Sequence, residues 1–249
     1  MLAATAAVLV LNGCAEPADP PAVPPPVLGF LVGRAGECSG PGGITAERIR
    51  AQADGLVRTG LREAGYATLF VPCDDEAPAT DDAALRRRLS ALGVTVERVP
   101  TGDRRVASTM PADAAEPVLC AQITRRVMRA ESLVFAGDPA RIPAPNLALI
   151  GNRAVIEAAV DARRAPGAPV GGDPEVSSRA VGSAGLLVSL HRAGEASSSD
   201  VSVAIAELNL SGDDAVPATE LWTGRRIRSV GGRLTVDLEP GGTALLSIG

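Results

Sequence analysis

With 249 residues, 46% of them hydrophobic and 21% charged, the chain has a globular composition and room for one large domain or two ordinary ones. A net charge of −5 supplies no electrostatic reason to bind nucleic acid or an anionic lipid surface. Aromatic residues make up only 2%, so the flat rings on which sugars and bases are usually stacked are scarce.

The chain opens on an apolar run at 2–11, too short to hold a bilayer as a stable span. The run ends in Leu11-Asn12-Gly13-Cys14, which resembles the lipobox of bacterial lipoproteins, where the cysteine is acylated and becomes the mature N-terminus. The other reading is an ordinary secretory signal with an incidental cysteine, and no Lys or Arg precedes the run. The expectation is a signal peptide over 1–14, lipidation at Cys14 and residence on the outer face of a bacterial membrane. If Cys14 is not lipidated, the chain is secreted. Residues 15–26 are Pro-rich and read as a linker, and an exported chain is free to form disulfides.

A strand–helix order follows. A short apolar run at 27–32 leads into a Gly-rich loop at 33–43, which lacks the Gly-Lys-Ser/Thr ending of a phosphate loop. Thr45 is placed to cap a helix whose apolar positions run from Ile49 through Leu56 and Leu61 to Ala64, with Gly65 as its stop. A strand is expected at 66–71. A second unit has Asp81 or Asp82 as cap, a helix over 83–92, Gly93 as stop and a strand at 94–99. A third helix, over about 116–131, leads into a strand at 132–138. Arg86-Arg87-Arg88 and Arg125-Arg126 read as exposed faces of these helices. Such alternation implies a parallel sheet of about four strands with crossover helices.

Beyond residue 170 the pattern changes to period-two runs at 185–191, 201–210, 219–224, 233–240 and 243–249, joined by turns. That is the pattern of a small antiparallel Greek-key β-sandwich. Trp222, with Leu221 and Ile227 alternating around it, is expected inside the sandwich. His191, the one histidine, reads as a satisfied strand-end residue. With Cys14 set aside, Cys38, Cys73 and Cys120 allow at most one bridge. Without a C-x-x-C spacing or a second histidine the expectation is no zinc site, and no cofactor motif is present.

Three stretches resemble the α-galactosidases (melibiases) of glycoside hydrolase family 27. "ITAERIRAQADGLVRTGLREAGYATLFV" is similar to the family's opening barrel helix and second strand. "SLVFAGDPARI" with "NRAVIEAAVD" resembles its last barrel strand and the entry to its C-terminal domain. "ELWTGRRI" with "GGRLTVDLEPGGTALLSIG" is similar to its closing strands, and Leu221-Trp222-Thr223-Gly224 is the most specific match. The resemblance implies an incomplete (β/α) TIM-barrel-like domain over 27–165, then an antiparallel β-sandwich over 170–249. It also implies a carbohydrate ligand and a disulfide between Cys38 and Cys73.

The departures bear on activity. A closed (β/α)8 barrel takes about 250 residues, and 27–165 falls well short. The match covers barrel strands one, two, three and eight, whereas the family's two catalytic aspartates follow strands four and six. Where the family has Gly-Trp-Asn-Ser-Trp, this chain has Gly29-Phe30-Leu31-Val32-Gly33, and Pro72 and Cys73 align with the two aspartates that hold galactose. Retaining hydrolysis needs two carboxyl groups about 5 Å apart. Asp74, Asp75 and Asp138 are the candidates for a rebuilt pair, against the plainer readings of an acidic turn and a turn cap. The expected protein is a catalytically inactive relative with a structural or weak carbohydrate-binding role. An active retaining glycosidase of α-galactosidase type is the alternative. The open sheet edges leave self-association as a further expectation.

Overall fold

The computed structural model describes residues 26–34, 37–38, 43–73, 82–100, 102–106, 108–161, 165–193, 200–210 and 215–249. Cys14, Asp74, Asp75 and Asp81 lie outside them.

The first half has the order β1 (Leu28–Leu31), α1 (Ala46–Arg58), β2 (Thr68–Pro72), α2 (Ala83–Leu92), β3 (Thr95–Val99), β4 (Met110–Pro111), α3 (Glu116–Met128) and β5 (Leu133–Ala136). Two short helices, α4 (Ala144–Ile150) and α5 (Arg153–Ala159), complete it. The strands form one parallel sheet in the order β3-β2-β1-β5-β4. Period-two alternation sorts their side chains cleanly. Phe30, Leu69, Val71, Leu133 and Phe135 join one core, and Leu31, Phe70 and Val134 belong to another on the opposite face. The buried hydrophobic residues of all five helices fall in the first core. A sheet with helices on one face, and with β5 beside β1, is a segment of a (β/α) barrel rather than a doubly wound sheet. The outermost strand, β4, takes the place beside β5 that a seventh strand has in a closed barrel.

Thr45 caps α1 by accepting from the Arg48 amide, and Asp82 caps α2 by accepting from Ala84 and Leu85. Gly93, at φ 63°, closes α2 at the expected position. The sequence expectation fails for the end of α1. The helix stops at Arg58, because Gly60 takes φ 75° one residue beyond the cap, and 59–65 continue as turns. Leu61 still reaches the core from those turns. The third helix also ends early, at Met128. Arg125 is exposed as expected, but Arg126 is buried and donates to the Ser132 carbonyl at 3.0 Å. Phe30, Tyr66 and Phe135 meet at the centre of the first core with centroids 5.6–5.9 Å apart, Tyr66 edge to face with each phenylalanine and the two phenylalanines tilted. The Tyr66 hydroxyl donates to the Ile150 carbonyl at 3.0 Å, and burial pushes its pKa above the ordinary tyrosine range.

The second half comprises β6 (Ala168–Val170), β7 (Asp173–Val181), β8 (Gly185–His191), β9 (Asp200–Ala204), β10 (Pro217–Glu220), β11 (Arg226–Arg228), β12 (Arg233–Asp237) and β13 (Thr243–Ile248). An antiparallel sheet β11-β10-β13-β8-β7-β6 and the pair β12-β9 enclose a core that includes Val188, Leu190, Val203, Leu234 and Leu246. This is a β-sandwich, with more strands than the sequence pattern indicates. The run at 201–210 is a strand only to Ala204 and then a 3-10 turn, and the run at 219–224 is a strand only to Glu220. Trp222 is half-buried outside the sandwich core. It packs on the first core and donates from Nε1 to Thr124 Oγ1 of α3 at 3.2 Å.

The first core crosses between the halves, since Leu187, Leu221 and Leu245 belong to it. Helix α3 therefore has neighbours on two sides, the parallel sheet and strands β7, β8 and β13. Arg179 of β7, 2% exposed, donates from Nη1 to the Val127 carbonyl at 2.6 Å and the Ala158 carbonyl at 3.2 Å. These carbonyls lie in the last turns of α3 and α5, where the helix dipole favours a cation. Replacing Arg179 by Met should leave both carbonyls buried without this donor. The expected loss is about 2 kcal/mol or more, read as a lower denaturation midpoint. Tyr66→Phe should cost about 1 kcal/mol in the same measurement.

Candidate functional site

In barrels and open α/β sheets the chemistry gathers at the C-terminal ends of the parallel strands. Here β1 runs out into Val32, whose amide donates to the Phe70 carbonyl of β2 at 2.8 Å. Strand β2 runs out into Pro72 and Cys73, and β5 into Gly137 and Asp138. Val32, Ile44 and Cys73 are buried there, so the strand ends are largely apolar. Cys38 and Cys73 form a disulfide with Cα atoms 5.6 Å apart, which fastens the loop after β1 across the end of β2.

The polar residues described around these ends hold backbone. Asp138 is exposed, accepts from the Ala140 amide at 3.0 Å to cap the 3-10 turn Pro139–Arg141, and lies 3.5 Å from Arg141 Nε. That is the geometry of the turn-cap reading. Glu37 accepts from the Arg34 amide at 3.1 Å and from Arg48 Nη1 at 3.3 Å. Gln52 of α1 donates to the Gly137 carbonyl at 3.2 Å. Asn146 of α4, 3% exposed, donates to the carbonyls of Ala112 and Ala114, each at 2.8 Å. The sequence reading singled out neither Gln52 nor Asn146. Gln52 carries a legible signal, a polar residue on the buried face between Ile49 and Leu56. Asn146 carries none, since α4 is too short to show a periodicity.

The face of the sheet that would line a barrel is also filled. Gly29 lets the Phe70 ring lie over β1: a Cβ added at Gly29 would come within 2.6 Å of it. The loop after β3 brings Val106 into this cluster and sets the Arg105 guanidinium 5.8 Å from the Phe70 centroid. Arg105 is fixed by Asp103 at 2.8 Å and Glu97 at 2.6 Å. Its hydrogen bond holds the Asp103 carboxyl below the usual aspartate range. Elsewhere, His191 Nδ1 is 2.9 Å from Thr243 Oγ1, a satisfied strand-end contact. Cys120 is a free thiol, pushed up to about 12 chiefly by burial. Among the described residues no group of His, Cys, Asp or Glu could hold a metal ion.

A parallel sheet with helices on one face is followed in the chain by an antiparallel sandwich. No family model and no curated protein matches the sequence. Solved structures do match. α-Galactosidase I from Mortierella vinacea superposes with a TM-score of 0.66 at 11% identity, over 90% of this chain and 96% of that one. The α-galactosidase of Saccharomyces cerevisiae, solved with raffinose, gives 0.65 at 9% identity over 90% and 97%. A putative α-galactosidase/melibiase from Bacteroides fragilis gives 0.66 at 10% identity over 90% and 79%. The chain thus has a divergent fold of the glycoside hydrolase family 27 kind, with an incomplete barrel ahead of the sandwich.

The bridge closes a loop of sequence separation 35. A Cys38→Ser, Cys73→Ser double variant is expected to lose about 2–4 kcal/mol in denaturant unfolding. A Gly29→Ala variant should also be destabilised, since Phe70 or the backbone of β2 must shift to admit the methyl group.

Proposed function

We propose that this protein is a non-hydrolytic relative of the family 27 α-galactosidases, exported and held at the outer face of a bacterial membrane by a lipid on Cys14. Its role there is structural or weakly carbohydrate-binding. The observation that carries the reading is the chemistry of the parallel strand ends. Val32, the Cys38–Cys73 bridge and Gly137 occupy them, and the carboxylates described there, Asp138 and Glu37, serve as a turn cap and a loop clamp. Retaining hydrolysis needs one carboxylate to attack the anomeric carbon and a second to protonate the leaving oxygen. Here both described carboxylates are engaged in holding the local chain. The short barrel and the scarcity of aromatic walls support the same reading.

Incubated with an aryl α-galactoside, the purified protein is expected to release no phenol above the uncatalysed rate. Turnover that disappears in an Asp74→Asn, Asp75→Asn double variant would overturn the reading and establish a rebuilt retaining site. For the anchor, Cys14→Ser should move the protein from the membrane fraction to the soluble exported fraction.

A further inference from the structure

A second concavity lies on the other side of α3, between that helix and the six-stranded sheet, and it has the composition of a binding site. Alternation along β7, β8 and β13 decides which side chains face the helix. Leu187 and Leu245 do so at one end of this face and are buried in the core shared by the two halves. At the other end the same alternation presents Ser177, Ser189, His191 and Thr243, and there a groove of about 390 Å³ separates sheet from helix. Polar side chains on an inward sheet face are unfavourable unless they are hydrogen-bonded or hydrated. The volume is that of a small-molecule pocket.

The groove has a neutral hydroxyl floor and a cationic rim. Ser177 Oγ and Ser189 Oγ lie 2.8 Å apart, and His191 Nδ1 lies 2.9 Å from Thr243 Oγ1. Arg125 and Arg129, one turn apart on and just beyond α3, form the rim, with Arg129 4.0 Å from Glu131. Glu175 is the carboxylate in the lining, and it accepts from the Ala193 amide at 2.9 Å. Guanidinium forks suit planar oxyanions. Glu175 disfavours a dianion such as a phosphate ester more than a single carboxylate, and it offers an acceptor to hydroxyl groups.

We propose that this groove binds a sugar acid, a small ring bearing one carboxylate and several hydroxyls. The carboxylate lies between Arg125 and Arg129, and the hydroxyls lie on the Ser177–Ser189 pair, His191 and Thr243. The site is built on the sandwich side of α3 and uses no residue of the parallel strand ends, so it stands whether or not the protein hydrolyses galactosides.

The test is calorimetric titration of the full-length protein at low ionic strength with galacturonate, with galactose and inorganic phosphate as separate arms. His191, the one histidine of the chain, locates binding by the shift of its imidazole resonances. Galacturonate is expected to bind and move those resonances. Galactose and phosphate should bind at least about tenfold more weakly. Arg125→Gln, Arg129→Gln and Ser189→Ala, each checked for unchanged melting, should each weaken galacturonate by a similar factor. Four results would overturn the proposal: no heat with galacturonate, binding that leaves His191 unmoved, affinity unchanged in both arginine variants, or phosphate or galactose binding as tightly.

Discussion

Everything else in this molecule depends on helix α3 being buried from two sides. Its Leu119, Ile123 and Val127 complete the core over the parallel sheet, while strands β7, β8 and β13 lie against its other side. A closed barrel has a continuous ring of strands and needs no such help. A five-stranded segment has too little of its own apolar surface to hide, and the sandwich supplies the missing cover through Leu187, Leu221 and Leu245. Arg179 then ties the last turns of α3 and α5 to β7, so the joint is polar and directional as well as apolar. The two halves follow one another in sequence, but they share a core across the joint.

Much of this was legible because local signals coincided. Helix α2 has the bounds read from the sequence, since Asp82 is a strong cap and Gly93 a strong stop. Strand β8 has the expected limits as well, in a mostly apolar run between turns. Elements built by tertiary pairing were not legible. Strand β4 is two residues long and exists only because Met110 and Pro111 lie beside β5. Strand β7 turns Ser177 and Arg179 toward the helices, so its inward face is polar and the expected alternation is hidden. Trp222 illustrates the same difficulty. Its neighbours alternate as in a strand, but the chain turns after Glu220, whose carboxylate accepts from the amides of Trp222 and Thr223.

The candidate sites divide in the same way. The apolar strand ends could be anticipated from Val32, Pro72 and Cys73 standing where polar residues would be needed. The closure of the inner sheet face could not, because it combines Gly29, Phe70 and Arg105 from two strands and a distant loop. The groove on the sandwich side was equally hidden. Its residues come from α3, β6, β7, β8, β13 and the segments beside them, and no spacing in the chain connects them.

Trp222 has one more consequence. It is the chain's one tryptophan, and its indole N–H is engaged by Thr124 across the joint between the halves. Its fluorescence therefore comes from a single, half-buried position at the joint. If the joint opens while each half keeps its strands, the indole exchanges a threonine hydroxyl for water and its emission moves to longer wavelength. Backbone dichroism would register nothing at that moment. The unmodified protein thus carries an optical reporter of inter-domain docking, separable from the melting of secondary structure.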